Sequence, residues 1–166
     1  MKMKQLLIST FSATVLLLFD GVNEVNGGPL TYKVSGETVS VVLCDKNASG
    51  ELVIRSSYAR PRPLNSPEKP VTSFGENAFK DCTNLTSVTI PDSVTSIGNR
   101  AFEYCGLTSV IFGMSVTSIG SSAFAYCNSL ESITFRGNAP TRYSLSGVSD
   151  SAKIFVKFRS FFVVLG

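Results

Sequence analysis

Histidine and tryptophan are both absent from the 166 residues. Without histidine there is no Ser-His-Asp triad and no Cys-His pair. A mixed Cys/His zinc site cannot be completed either. The four cysteines contain no Cys-x-x-Cys pair. Charge is sparse: 16% of residues are charged and the net charge is +3, scattered along the chain. That is no electrostatic footprint for nucleic acid. The acidic residues show no spacing that suggests paired carboxylates. A Ser-Lys arrangement stays open because serine is abundant, but no serine is marked out by its context. The expectation is a non-enzyme, with no catalytic residue, no metal, no cofactor and no small-molecule substrate.

Long apolar runs are also scarce. The main one, Leu6 to Phe19, is broken by Ser9, Thr10, Ser12 and Thr14, and follows Lys2 and Lys4. It is short for a bilayer span and has the order of a secretory signal: positive start, apolar run, then small residues. Val25 and Gly27 suit the −3 and −1 positions of a cleavage site, so residues 1–27 read as a signal peptide. No cysteine directly follows the run, which argues against a lipid anchor. An uncleaved anchor or a buried core helix is the plainer reading of the same residues.

What the chain has in quantity is repetition. Val71-Thr72-Ser73-Phe74-Gly75 returns as Val94-Thr95-Ser96-Ile97-Gly98 and as Val116-Thr117-Ser118-Ile119-Gly120. Each copy goes on to Ala-Phe (Phe79, Phe102, Phe124), a cysteine (Cys82, Cys105, Cys127) and Leu-x-Ser-Val/Ile. The cysteines lie 23 and 22 residues apart, and the shorter step is a deletion between Cys105 and Leu107. A fixed period of this size is the mark of a leucine-rich repeat, each copy being one coil of a stack. Within a copy, Leu85, Val88 and Ile90 suit a short strand. Val-Thr-Ser-Ile is β-branched and predicts a second short strand that turns at Gly98, where a positive φ costs nothing. Asn99 to Cys105 predicts one or two short helical turns. A lone coil buries too little to offset its backbone entropy, so the copies must stack. Stacking turns equal positions into ladders. Phe79, Phe102 and Phe124 form one, and Cys82, Cys105 and Cys127 another, both read as structural and inward. The cysteines are expected to be buried free thiols. A disulfide between stacked neighbours is geometrically conceivable, but three ladder cysteines leave one over, and Cys44 lies outside the copies.

Around the copies, residues 28–58 alternate strand and turn patterns and sit where an N-terminal β cap is needed. Residues 59–70 carry Pro61, Pro63, Pro67 and Pro70 and read as a Pro-rich loop. Pro67 to Pro70 is one Pro-x-x-Pro match, more simply a connector. The repeat stack is expected over 71–153. A closing strand and an apolar, Phe- and Val-rich tail follow over 154–166. The fold class is therefore an α/β repeat, β-rich: a short right-handed solenoid with an N-terminal β cap. Asn47-Ala48-Ser49 and Asn84-Leu85-Thr86 match glycosylation sequons.

Leu-x-x-Val/Ile-x-Ile/Phe, Val-Thr-Ser-Ile-Gly, Ala-Phe and Cys, closest over Lys69 to Phe135, resemble the BspA-type leucine-rich repeats of bacterial and protist surface proteins. Asp150 to Val156 is similar to the closing segment of some members. Tyr58 to Ser66 and Lys157 to Gly166 depart from the pattern. The resemblance implies an exported, secreted or surface-displayed module that binds a protein or glycan, with extracellular matrix or another cell surface among the family's targets. The candidate binding surface is the polar side of the Leu-x-Ser-Val strands: Thr86, Ser87, Thr89, Thr108, Ser109, Glu131, Ser132 and Thr134. Such rows are also what any solvated strand face looks like. The alternative function is a structural spacer, or a truncated remnant of a longer surface protein, with no ligand of its own. Ice binding by regular Thr/Ser rows fits poorly, because Ile111 and Glu131 interrupt them. Neither the ligand nor the oligomeric state is legible at this stage.

Overall fold

The computed structural model describes residues 23–59, 67–140, 148, 152–158 and 161–165. The apolar run from Leu6 to Phe19 lies outside them. Among the described residues every regular element is a strand.

Each copy contributes one strand to each of two sheets. The Val-Thr-Ser-Ile/Phe segments form β6 (Lys69–Phe74), β8 (Ser96–Ile97) and β10 (Ser118–Ile119). They pair in parallel, with Ser73, Ser96 and Ser118 in one row and Phe74, Ile97 and Ile119 in the next. The Leu-x-Ser-Val segments form β7 (Leu85–Thr89), β9 (Ser109–Phe112) and β11 (Ser132–Phe135). They too are parallel and in register, through Val88, Val110 and Ile133. Equal residues meet because a one-residue slip in any strand would turn its whole apolar set outward.

The flanking segments extend both sheets. β1 (Asn23–Gly27), β2 (Leu30–Ser35) and β3 (Thr38–Cys44) run antiparallel in sequence, and β3 then joins β6 in parallel. A cut after Gly27 would fall at the end of β1. β4 (Gly50–Val53) lies parallel to β7. β5 (Ser57–Tyr58) pairs antiparallel with the start of β6, so Lys69 and Pro70, read above as loop, belong to a strand. Pro70 opposes Ser57, and the ladder is carried past it by the Val71 N–H to Ser56 O bond at 2.9 Å. At the far end β12 (Lys153–Phe158) is parallel to β11, and β13 (Phe161–Leu165) is antiparallel to β12.

The third wall of each coil is where the helical turns were expected, and no helix forms there. The chain makes successive three-residue turns, such as Glu103 N–H to Arg100 O and Cys105 N–H to Phe102 O. Intervening N–H groups point to the next coil instead: Arg100 to Ser121 O, Phe102 to Ala123 O, Tyr104 to Ala125 O. A helix would direct those donors along its own axis, so the inter-coil ladder and the helix compete and the ladder wins. The α part of the expected fold class is thereby corrected to a β-rich repeat fold. Left-handed residues break each would-be helix: Asn77, Arg100 and Ser122 at one position, Asp81, Tyr104 and Tyr126 at another.

Gly98 also differs from its expected role. Its φ is not positive. A Cβ on it would sit 2.6 Å from the carbonyl carbon of Gly75 in the preceding coil. The residue is glycine because two backbones pass too closely for any side chain.

All three walls feed one core. The sheets supply Val71, Phe74, Ile97 and Ile119 on one side and Leu85, Val88, Val110, Phe112, Ile133 and Phe135 on the other. Phe79, Phe102 and Phe124 come from the turn-rich wall, with no measurable exposure. Phe79 and Phe102 stack at 4.6 Å between ring centres, and Phe102 and Phe124 at 5.1 Å.

Candidate binding surface

The candidate residues fall on one sheet, the one that runs β4, β7, β9, β11, β12 and β13. Its ladder aligns three outward rows. Thr86, Thr108 and Glu131 form the first, all exposed and joined by backbone bonds from Thr108 N–H to Thr86 O (2.8 Å) and Glu131 N–H to Thr108 O (2.9 Å). The Thr108 hydroxyl donates to the same Thr86 carbonyl at 3.0 Å, so one side chain of this row is already engaged in the stack. Ser87, Ser109 and Ser132 form the second, half-buried. Thr89, Ile111 and Thr134 form the third, with Ile111 38% exposed between two threonines.

Strands outside the copies lengthen these rows. β4 places Glu51 beside Ser87 and Val53 beside Thr89. β12 places Lys153 beside Ser132 and Phe155 beside Thr134. The serine row is thus bounded by an acid at one end and a base at the other. The third row reads Val53, Thr89, Ile111, Thr134, Phe155, every member β-branched or aromatic. Val53 is 63% exposed. These four residues were not reached from the repeat, because β4 and β12 do not carry its motif. Glu51-Leu52-Val53-Ile54 and Lys153-Ile154-Phe155-Val156 are each a charge followed by three apolar residues, which suits a strand but does not say which face is outward.

The second sheet carries rows of its own. Ser40, Ser73, Ser96 and Ser118 align, and the Ser40 and Ser73 hydroxyls are 2.7 Å apart. Thr95 and Thr117 donate their hydroxyls to the carbonyl of the preceding threonine, at 3.2 and 3.1 Å. Thr95 and Thr117 are exposed and bonded to the stack in the same way as Thr108.

The turn-rich wall holds a feature outside the expected site. Tyr104 and Tyr126 stack at 4.5 Å, with planes within 8°, and are 46% and 53% exposed. Both occupy left-handed backbone, at φ of 59° and 60°. Beside them the Lys80 ammonium lies 2.6 Å from a carboxylate oxygen of Glu103, a nearly buried acid. That hydrogen bond holds the Lys80 ammonium above its ordinary pKa.

Behind the wall the four cysteines are buried and unbridged. The Cys105 thiol donates to Phe79 O at 2.9 Å and the Cys127 thiol to Phe102 O at 3.0 Å. Burial raises both thiols, Cys127 to about 11. Among the described residues no three His, Cys, Asp or Glu side chains gather to hold a metal ion. A hollow of about 430 Å³ between β2, β4 and β5 is lined by Tyr32, Leu52, Arg55, Tyr58 and Glu68, and touches the outward rows only through Val53.

A family model described as a BspA type leucine-rich-repeat region of six copies matches residues 62–149. The chain belongs to the BspA-type leucine-rich-repeat family. A solved relative, a leucine-rich repeat protein from Bacteroides capillosus, is 31% identical, with a TM-score of 0.72. The alignment covers 81% of this chain and 99% of that one. A leucine-rich cell surface protein from Faecalibacterium prausnitzii is 22% identical, with a TM-score of 0.56. There the alignment covers 81% of this chain and 45% of that one, so this chain spans less than half of it, and the likeness is one of fold. No curated protein matches the chain. The candidate rows lie on the sheet made by the Leu-x-Ser-Val side.

Proposed function

We propose that this chain is an exported, surface-displayed recognition module. Its copies form a short right-handed solenoid with β2–β5 as the N-terminal cap, and it binds a protein or glycan through the face of β4, β7, β9, β11 and β12. One observation carries the reading. Five consecutive parallel strands align Val53, Thr89, Ile111, Thr134 and Phe155 in a single outward row, with the serine row beside it. The row alternates apolar and hydroxyl side chains, and a contact surface gains from that mixture. Residues of the same row are about 4.8 Å apart, so the face is a regular, rigid template for an extended partner. Membership of the BspA-type family and the cell-surface relative support display outside the cell, and the start of the sequence supports export.

The purified chain, screened against arrays of matrix proteins and glycans, tests this. A hit is then re-measured with Ile111→Arg and Ser109→Arg, both outward on β9. Loss of binding by tenfold or more, with an unchanged urea melt, is the expected result. No hit, or hits indifferent to both substitutions, would leave the spacer reading in its place.

A further inference from the structure

Cys44 ends β3 in the N-terminal segment, and Cys82 belongs to the first copy. The Cys44 N–H donates to Ala78 O at 2.6 Å, which seats the end of β3 against that copy. Both thiols turn to one acceptor, the Asp45 carbonyl, at the long distances of 3.5 and 3.8 Å. Two sulfurs that turn to one oxygen are neighbours. The remaining two cysteines behave differently. Cys105 and Cys127 each make one short bond to a backbone carbonyl of the preceding copy. Cys82 has no copy before it, and its thiol shares the Asp45 carbonyl with Cys44 instead.

We propose that Cys44 and Cys82 form a redox pair whose disulfide staples the N-terminal strands to the first repeat. The shared Asp45 carbonyl and the Cys44 N–H bond to Ala78 O bring the end of β3 and the first copy together at the two thiols, the proximity that a disulfide requires. The oxidant is a small-molecule disulfide. The Cys82 thiolate attacks one of its sulfurs, forms a mixed disulfide and expels the first thiolate. Cys44, its proton lost to solvent, then attacks the Cys82 sulfur and expels the second. Two electrons pass from the pair to the oxidant, and the two protons given up by the cysteines convert the expelled thiolates to thiols. Both sulfurs are buried at 2% exposure or less, so exchange takes place while β3 is still undocked, during folding. The bond would close a loop of about 38 residues, long enough for a clear entropic effect on the unfolded chain.

In the cell the pair needs an oxidising compartment, so there it rests on the export proposed above. The experiment supplies the oxidant itself and separates the two readings. The full chain is reduced, denatured and refolded in a glutathione redox buffer, then alkylated and peptide-mapped. Cys44 linked to Cys82, with Cys105 and Cys127 alkylated, is the expected map. The urea midpoint of this form should stand above that of the reduced protein, and Cys44→Ala should show no redox-dependent shift. Four alkylated cysteines, or a Cys82–Cys105 link of equal yield, would overturn the assignment. The wild-type map decides even if Cys44→Ala folds poorly.

Discussion

Two contacts use the same geometry and differ in closeness. Where copy meets copy, a Cβ on Gly98 would lie 2.6 Å from Gly75, and one on Gly120 2.6 Å from Asn99. Where the first copy meets β3, a Cβ on Gly75 would lie 3.4 Å from Val41 O, close to ordinary contact. The register tells the same story. Strands of successive copies pair without a break, whereas β3 on β6 and β4 on β7 each shift at one residue. Identical coils nest because every bump meets its own hollow one period on. The N-terminal strands have a different sequence and reach the stack by small irregularities instead. Cooperativity should therefore be strongest inside the copies and weaker at the junction.

The largest expected effect probes the inside of the stack. Phe102 contacts three rings, Phe74 at its edge and Phe79 and Phe124 face to face. Phe79 and Phe124 each contact two. Phe102→Ala is expected to cost about 3–5 kcal/mol, out of a total of about 5–15 for a domain of this size. It should cost more than Phe79→Ala or Phe124→Ala in urea melts and broaden the transition by uncoupling the coils on either side. A Phe102→Ala melt that matches the parent would contradict the stacked register.

The second pair of variants sets the two contacts directly against each other. Gly98→Ala must push two backbones apart and should cost about 1–3 kcal/mol. Gly75→Ala has room and a backbone without positive φ, so it should be neutral or stabilising by about 0.5 kcal/mol through reduced freedom of the unfolded chain. Equal costs in parallel urea melts would remove the distinction between copy and junction.

The same division separates what was legible from what was not. Strands β6 to β11 and the Phe and Cys ladders could be read from the chain because the period states each position two or three times. The helical turns were misread because Asn99 to Cys105 has adequate helix propensity. Propensity is a local quantity, and the competing inter-coil bonds are not local. Gly98 was misassigned for a related reason, since turn chemistry and close approach of two backbones demand the same residue. Of the outward rows, the central residues followed from the repeat. Glu51, Val53, Lys153 and Phe155 did not, because their strands join the sheet without sharing its motif. The Tyr104–Tyr126 stack was visible only as a repeated Tyr-Cys, with nothing to say that the ring faces out.

The smallest expected effect compares the first copy with the second. At one left-handed position the first copy uses Asn77, at φ 58°, and the second uses Arg100, at φ 53°. Asparagine visits this region readily because its short amide can bond locally, while most other residues are disfavoured there by roughly 1 kcal/mol. Arg100 is exposed, and its side chain makes no ion pair among the described residues. Its N–H to Ser121 O bond, at 3.0 Å, is a backbone contact that asparagine keeps. Arg100→Asn should therefore relieve strain without removing a contact, raising stability by about 0.5 kcal/mol. Its charge lies near Lys80, whose pKa it lowers, so losing it also strengthens the Lys80–Glu103 pair slightly. A small upward shift of the urea midpoint is the expected outcome. A downward shift would mean that the arginine stem, not the backbone, governs this corner of the coil.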